Sequence, residues 1–447
     1  MMRRLCLKYF HRFQCLQYSL AAALSVIAIL FFPSDALSAV SADRPAASSA
    51  LPDGTVTLEE CLRIALDLNP GLAETKSGID SQAARVREAA AASRPQVGLS
   101  SSYGYTHTGN AEQGSINTGF TLRQSIFDWG RADLSVRGAS LELEAKTLDR
   151  ANDVQGVLAQ VTDAYYMVNR SARNLMIATE RVGNYEKRLK WAKDFYAAGA
   201  KAKIDVTKAE TDLANARLDL VQANGASAKA LSGLSHSMGA AEWTPPGVED
   251  LLEYTSYDIA AEEAVNTALG SRTDLMAQEV RLQEARTSLS LASKGLSPSF
   301  SGSAGYSFYG ESDPFGQKEW RLSAGIEIPL SDGGLTRERV RGAEADLAGA
   351  ESRLAAMRQD IILAARNAHS SLAEAREAVA AAREVERQAG ETLNLALGRY
   401  GAGVGESLEI SDAVDGYAQA RVRVVTALYD LKSAEINLKR TMGVISQ

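Results

Sequence analysis

Few residues of this chain have the type and spacing to do covalent or metal chemistry. Its 447 residues include four histidines, His11, His107, His236 and His369, none with a ligand-spaced neighbour. There is no H-E-x-x-H sequence and no glycine-rich phosphate loop; "SSYGYT" (Ser101–Thr106) alternates in the manner of a strand. No nucleophile is matched to a base, so the expectation is a protein that is not an enzyme and uses no metal or cofactor. The chemistry that remains is the placement of charge. Asp205 and Glu409 each follow a Tyr-x-x-Gly turn, "YAAG" (Tyr196–Gly199) and "YGAG" (Tyr400–Gly403). There a carboxylate favours the start of the next helix through its dipole.

The two carboxylates sit in matching text because the chain is duplicated. "TLEECLRIAL" (Thr57–Leu66) matches "AAEEAVNTAL" (Ala260–Leu269) at an offset of 203, and "RPQVGLSSSYGY" (Arg94–Tyr105) matches "SPSFSGSAGYSF" (Ser297–Phe308) in the same register. From Arg137 onward the offset is 204: Arg137-Gly138-Ala139 meets Arg341-Gly342-Ala343, Ala216-Arg217 meets Ala420-Arg421, and Met238-Gly239 meets Met442-Gly443. A period this long is one domain-sized unit used twice, not a solenoid. The expected division is a first repeat over 43–241, a linker over 242–258 carrying Pro245-Pro246-Gly247, and a second repeat over 259–447.

Each repeat reads as four parts. A helix (Leu58 to about Ser93; Ala260 to about Gly295) precedes two strands; a very long helix (about 131–197; 335–400) and a return helix (about 205–238; 407–442) follow. From Val340 through Leu347, Leu354, Ile361, Ala368, Ala375 and Ala382, apolar residues keep heptad spacing, which indicates left-handed coiled-coil packing. The long helix would be a rod of roughly 100 Å.

Strands are expected over 97–107, 116–126, 299–309 and 320–328, each about the span of a tilted transmembrane strand. Val97, Leu99, Tyr103 and Tyr105 share a face against Gly98, Ser100, Ser102 and Gly104, and the other runs alternate likewise. This is the pattern of an outer-membrane barrel, with Arg123, Arg321 and Glu327 on the lumen side. A soluble sheet packed on helices would alternate too. However, the polar face is almost wholly Gly, Ser, Thr and charge, and Tyr105, Phe308, Tyr309 and Trp320 near the run ends suit an interfacial girdle. Four strands cannot close a barrel, and lipid admits no open edge. Two chains would give eight strands with a filled interior, and three would give twelve with a lumen. Pro329 stands where the first copy has Ser125, and proline cannot donate a ladder hydrogen bond, so pairing should stop sooner in the second copy.

The N-terminus reads as a leader. Arg3, Arg4, Lys8 and Arg12 precede the apolar run Leu20–Phe32 and the small-residue stretch "ALSAVSA", the layout of a signal peptide over 1–42 cleaved after Ala39 or Ala42. The run is short for a membrane anchor. Cys6 and Cys15 leave with it, so Cys61 has no disulfide partner in the mature chain. Removal takes four Lys/Arg and one Asp from totals of 48 and 55 and leaves a net charge of about −10, which argues against a nucleic-acid partner.

In this order and spacing, the "TLEECLRIALDLNPGL" opening (Thr57–Leu72), the turns "SIFDWG" and "IPLSDGG", the twin Tyr-x-x-Gly turns with "IDVTKAETDLANAR" and "LEISDAVDGYAQAR", and the closing "LKRTMG" resemble the TolC-type outer-membrane efflux protein family. The resemblance covers nearly the whole mature chain. It implies a mixed α+β membrane protein: a long antiparallel coiled-coil α-helical barrel in the periplasm plus a transmembrane β-barrel of four strands per protomer, as a homotrimer. The implied function is an exit duct of a tripartite efflux or type I secretion system, seated in outer-membrane lipid and served by a periplasmic adaptor and an inner-membrane transporter. The resemblance places the family's gate tyrosine on Tyr400, its acidic partners on Glu409 and Asp412, and its first-copy constriction carboxylate on Asp205. The gate arginine falls on Gly405, where this sequence departs from the family. From another class, the competing reading is a soluble periplasmic coiled-coil scaffold or adaptor.

Overall fold

The computed structural model describes residues 54–109, 111–255, 257–310 and 316–445, so the leader expected over 1–42 lies outside the described residues. In chain order the elements are α1 (Leu58–Leu68), α2 (Pro70–Ala91), β1 (Gln96–Thr108), β2 (Ala111–Phe127), α3 (Arg131–Ala197) and α4 (Lys203–Met238), then α5 (Ala261–Ser271), α6 (Thr273–Ala292), β3 (Ser299–Gly310), β4 (Gln317–Glu327), α7 (Leu335–Gly401) and α8 (Ser407–Met442). The segment between α4 and α5 is tied down by a parallel bridge from Val56 to Val248, and the Tyr165 hydroxyl donates to the Glu249 carbonyl at 2.9 Å.

The opening helix of each copy, expected as one piece, is broken in two. Asn69 ends α1 and caps α2, accepting from Gly71 N at 2.9 Å and Leu72 N at 3.4 Å, with Pro70 in the first turn where its missing N–H costs nothing. Arg272 occupies the matching break between α5 and α6 and pairs with Asp274 at 2.5 Å. The breaks make room for the ends of the return helices. Gly239 after α4 and Gly443 after α8 take positive φ (79° and 73°), and each lies against the backbone of a break. Asn69 Nδ2 donates to the Ser237 carbonyl at 3.1 Å, and Arg272 Nη1 to the Thr441 carbonyl at 3.4 Å.

The four strands form one antiparallel sheet in the order β1-β2-β3-β4, with β1 and β4 as edges. Register carries the apolar face straight across it. Leu99 pairs with Phe120, Phe120 with Tyr306 and Tyr306 with Trp320; two residues on, Val97, Leu122, Ala304 and Leu322 form a second row. The opposite face carries the row Gln96–Arg123–Ser303–Ser323. β4 ends at Glu327, two residues before Pro329, whereas β2 continues through a bulge at Ser125/Phe127 to Phe127.

Strand passes to helix through the same turn in both copies. Asp128 accepts from Gly130 N at 3.1 Å and Ala132 N at 2.8 Å, and Asp332 accepts from Gly334 N at 3.0 Å and Thr336 N at 2.7 Å. Two successive left-handed residues complete each turn, Trp129 (59°) with Gly130 (82°) and Gly333 (67°) with Gly334 (94°). Trp129 is the one non-glycine with positive φ among the described residues.

The helices then run as a row: α4 packs on α3, α3 on α8, and α8 on α7. In α7 the buried seam runs Ala350, Leu354, Ile361, Ala365, Ala368, Leu372, Ala375 and Val379. From Ile361 to Val379 it keeps the alternating four- and three-residue steps of a heptad. Near the helix breaks, Val56, Cys61, Tyr165, Leu234 and Met238 form a separate core. Burial pushes the Cys61 thiol up to about 12. Cys61 should therefore resist maleimide at pH 8 in the native protein and react only on unfolding; rapid native labelling would show that this core is open.

Candidate gate at the helix turns

The far end of the helical row is a core of its own. Tyr185, Leu213, Leu393, Tyr400, Ile410 and Val414 pack where the α3–α4 turn meets the α7–α8 turn. Tyr400, in the last turn of α7, is 1 % exposed, with its ring 5.8 Å from Phe195 and 6.2 Å from Trp191. Among the described residues its hydroxyl has no partner at hydrogen-bond geometry. Burial raises the Tyr400 phenol above its ordinary value; Arg188 opposes the shift, Asp205 adds to it and nearby Ser407 opposes it. The Ser407 hydroxyl itself accepts from Arg188 at 2.8 Å.

The expected gate residues are thus brought to one end, but not into one cluster. Asp205 is half-buried in the first turn of α4. Glu409, in the first turn of α8, pairs with Arg399 Nε of α7 at 3.1 Å, and Asp412 is exposed on α8. At Gly405 a Cβ would lie 2.8 Å from Tyr400 N and 3.0 Å from its Cα, so this turn has no room for any side chain there. A cation arrives from the other copy instead: Lys201 Nζ donates to the Gly405 carbonyl at 3.1 Å. On the sheet, Arg123, Arg321 and Glu327 share the polar face by register, all exposed, and Arg321 pairs with Glu319 at 2.7 Å.

The sequence reading missed a set of polar contacts on α3. Arg188 is fully buried; it pairs with Asp212 of α4 and donates to the Ser407 carbonyl of α8 at 3.1 Å as well as to the Ser407 hydroxyl. Ser411 of α8 donates to Asp212 at 2.7 Å. One heptad back, Arg181 pairs with Asp219 of α4 and with Asp415 of α8 at 2.8 Å. Between them the Tyr185 hydroxyl donates to Asp415 at 2.5 Å, with its ring 5.6 Å and 5.8 Å from the two guanidinium carbons. The Asp212 carboxyl lies below the usual range: burial would raise it, but the hydrogen bonds from Arg188 and Ser411 outweigh that. The sequence did carry a signal. At the offset of 204, the second copy has Val385, Ala389 and Thr392 where the first has Arg181, Tyr185 and Arg188.

A sheet with one apolar and one polar face is continued by two helices of 67 residues, each of which folds back into an antiparallel partner of 36 residues, a strand domain carrying a long helical extension. The profile of the family described as "Outer membrane efflux protein" matches residues 61–240 and 264–444, and the chain belongs to that family. It is an outer-membrane protein. It is 28% identical over 431 residues to protein CyaE of Bordetella pertussis, covering 93% of this chain and 90% of that one. It is 22% identical over 406 residues to the outer membrane protein TolC of Vibrio cholerae, covering 87% and 91%. Among solved structures, a membrane protein from Pseudomonas aeruginosa superposes with a TM-score of 0.77 at 21% identity, covering 86% of this chain and 92% of that one.

Proposed function

We propose that this chain is the outer-membrane exit duct of a tripartite efflux or type I secretion system, working as a homotrimer. The observation that carries the reading is the open four-stranded sheet. Trp320, Leu322, Ile326 and Val97 are between 68% and 77% exposed on its apolar face, and among the described residues β1 and β4 have no strand partner on their outer edges. Lipid can accept the apolar face but not the edges, so closure with further copies is required. Three copies give a twelve-stranded barrel with a lumen lined by the face of Arg123, Arg321 and Glu327. The helical row has matching free sides, with Ile204, Leu218 and Val221 exposed on α4, and Leu363, Val385 and Leu395 on α7. Contact between α4 of one protomer and α7 of the next would close the row into a tunnel in the periplasm.

On this reading the residues 43–241 and 259–447 are two copies of one unit joined by 242–258, and 1–42 is the export signal. Asp205, Tyr400, Glu409 and Asp412 lie at the periplasmic constriction, where carboxylates gathered about a threefold axis repel one another and draw cations. A periplasmic adaptor and an inner-membrane transporter would dock at this end and separate the helices. The test is reconstitution of the mature protein in planar bilayers with chemical cross-linking of the purified protein. Expected are discrete channels and a cross-linked limit of three protomers. Recovery in the soluble periplasmic fraction, with no channels, would favour the scaffold reading, and a limit of two protomers would exclude the twelve-stranded barrel.

A further inference from the structure

We propose that the hollow where the helices meet the strands is an anion-binding site, a collar of arginines that takes the phosphate or carboxylate groups of cargo passing into the barrel. This rests on the trimeric duct proposed above. The hollow measures about 1030 Å3 and opens at the foot of the sheet, walled by α2, α3, α6 and the start of α7. Three arginines line it: Arg85 of α2, Arg131 at the first residue of α3, and Arg339 in the second turn of α7. All three are exposed, and among the described residues none has an ion pair or a side-chain hydrogen bond. The acids nearby do not neutralise them. Asp128 is occupied by the backbone N–H groups of Gly130 and Ala132, and Glu338 pairs with Arg341 at 2.8 Å. Glu88 is the one other carboxylate on the lining, so the wall keeps an excess of positive charge.

The sheet sets the hollow on the lumen side and not the lipid side. Ser125 and Ser299 belong to the lining, and alternation puts both on the polar face: Ser125 lies two residues on from Arg123, and Ser299 pairs with Glu327. Small residues leave the space open, among them Ala89, Ala132 and Ala292. At Gly295 a Cβ would overlap the Thr336 side chain, so glycine lets the start of α7 close on the end of α6 and brings Arg339 to the hollow. The charge is made once per chain. At the offsets of the duplication Arg85 answers to Ser288, Arg339 to Ser135 and Arg131 to Leu335, and both serines lie on the same lining. Three copies would therefore gather nine arginines, three from each chain, about one axis. Guanidinium forks match phosphate and carboxylate oxygens two at a time. Like charges converging on a passage also raise the local concentration of their counter-ions. With carboxylates at the periplasmic constriction and arginines below the barrel, the two ends of the tunnel select opposite charge.

Pyrophosphate and citrate, one probe for each class of oxyanion, test the site when added to the barrel side of planar bilayers holding the reconstituted protein. They should block the parent channel reversibly. Arg85→Ala with Arg131→Ala and Arg339→Ala should raise the half-blocking concentration about tenfold. Arg87→Ala with Arg137→Ala and Arg337→Ala removes as many exposed arginines from the same three helices, but outside the hollow, and should be blocked as the parent is. All six side chains are at the surface, so neither variant is expected to lose its fold. Block by only one probe upholds the site and names its class. The proposal is overturned if neither probe blocks the parent, if the Arg85, Arg131 and Arg339 variant is blocked as the parent is, or if the two triple variants lose block equally. Phospholipid that copurifies with the parent and is lost from the hollow variant, with block unchanged, would set the arginines against lipid headgroups and overturn it too. Absence of channels in the parent protein would instead defeat the duct reading itself.

Discussion

Gly239→Ala should destabilise the protein by about 3 kcal/mol or more, a large effect for one added methyl group. Two costs combine. The residue sits at φ 79°, where a non-glycine pays about 1–2 kcal/mol. Its new Cβ would also lie 2.7 Å from the Leu68 carbonyl oxygen, 2.8 Å from Asn69 Cα and 2.9 Å from Pro70 Cδ. These are backbone and ring atoms at the break between α1 and α2, and they cannot swing aside as the end of a long side chain can. The damage would spread to the Asn69–Ser237 hydrogen bond and the core around Met238. Two other glycines set the scale. Gly443, the same position in the second copy, would place its Cβ 3.1–3.2 Å from Ser271 and Arg272, a milder clash. Gly199 has φ 73° and nothing within 4 Å of a Cβ, so Gly199→Ala should cost only the conformational part. Thermal unfolding should rank the losses Gly239→Ala, then Gly443→Ala, then Gly199→Ala. Equal losses at Gly239 and Gly199 would show that the helix end is not wedged into the break.

These glycines mark where sequence reasoning stops. The pairing of Met238-Gly239 with Met442-Gly443 was plain from self-comparison, and so was a helix end at each. What the glycines touch was not, because close approach of two backbones leaves no pattern in either segment. The same holds for Asn69 and Arg272. The apolar periodicity runs across both positions, and only the tertiary contact decides that the helix breaks there. The strand faces were legible from the alternation, but the rows across the sheet were not, because a register shift of two residues keeps every apolar side chain on the same face. At the helix turns, the positions of Tyr400, Asp205 and Glu409 were legible from the repeated Tyr-x-x-Gly text. The Arg181–Tyr185–Arg188 stripe was not, because a charge within a coiled-coil helix ordinarily marks a solvated face. Here the duplication leaves α3 covered by a third helix, and a stripe that would face water on a two-helix coil is buried. Departure between the copies is the signal that separates the two cases: shared positions report the fold, and unshared ones report the contacts made once per protomer.

Tyr400 permits a sharper test of the gate. Its ring fills the space between Trp191 and Phe195 at the point where α3 and α7 meet, while its hydroxyl has no hydrogen bond among the described residues. Ring and hydroxyl therefore make opposite predictions. Tyr400→Phe keeps the ring and removes a buried, unpaired polar group, so stability should change by less than about 1 kcal/mol and the closed-state conductance should stay near that of the parent. Tyr400→Ala removes a fully buried aromatic side chain, which costs about 3–5 kcal/mol in a core that cannot collapse. That loss falls on the turn-end core, where Leu393, Ile410 and Val414 hold α7 and α8 together, so the channel should conduct several-fold better when nominally closed. Alkaline pH gives an independent check on the hydroxyl. Burial holds the phenol of the folded protein above its ordinary value, whereas an unfolded tyrosine ionises near pH 10. The unfolded state then binds fewer protons, so stability falls as pH rises past about 10, and Tyr400→Phe should lessen that fall. An opened channel in Tyr400→Phe, with conductance equal to that of Tyr400→Ala, would mean that the hydroxyl and not the ring keeps the tip shut.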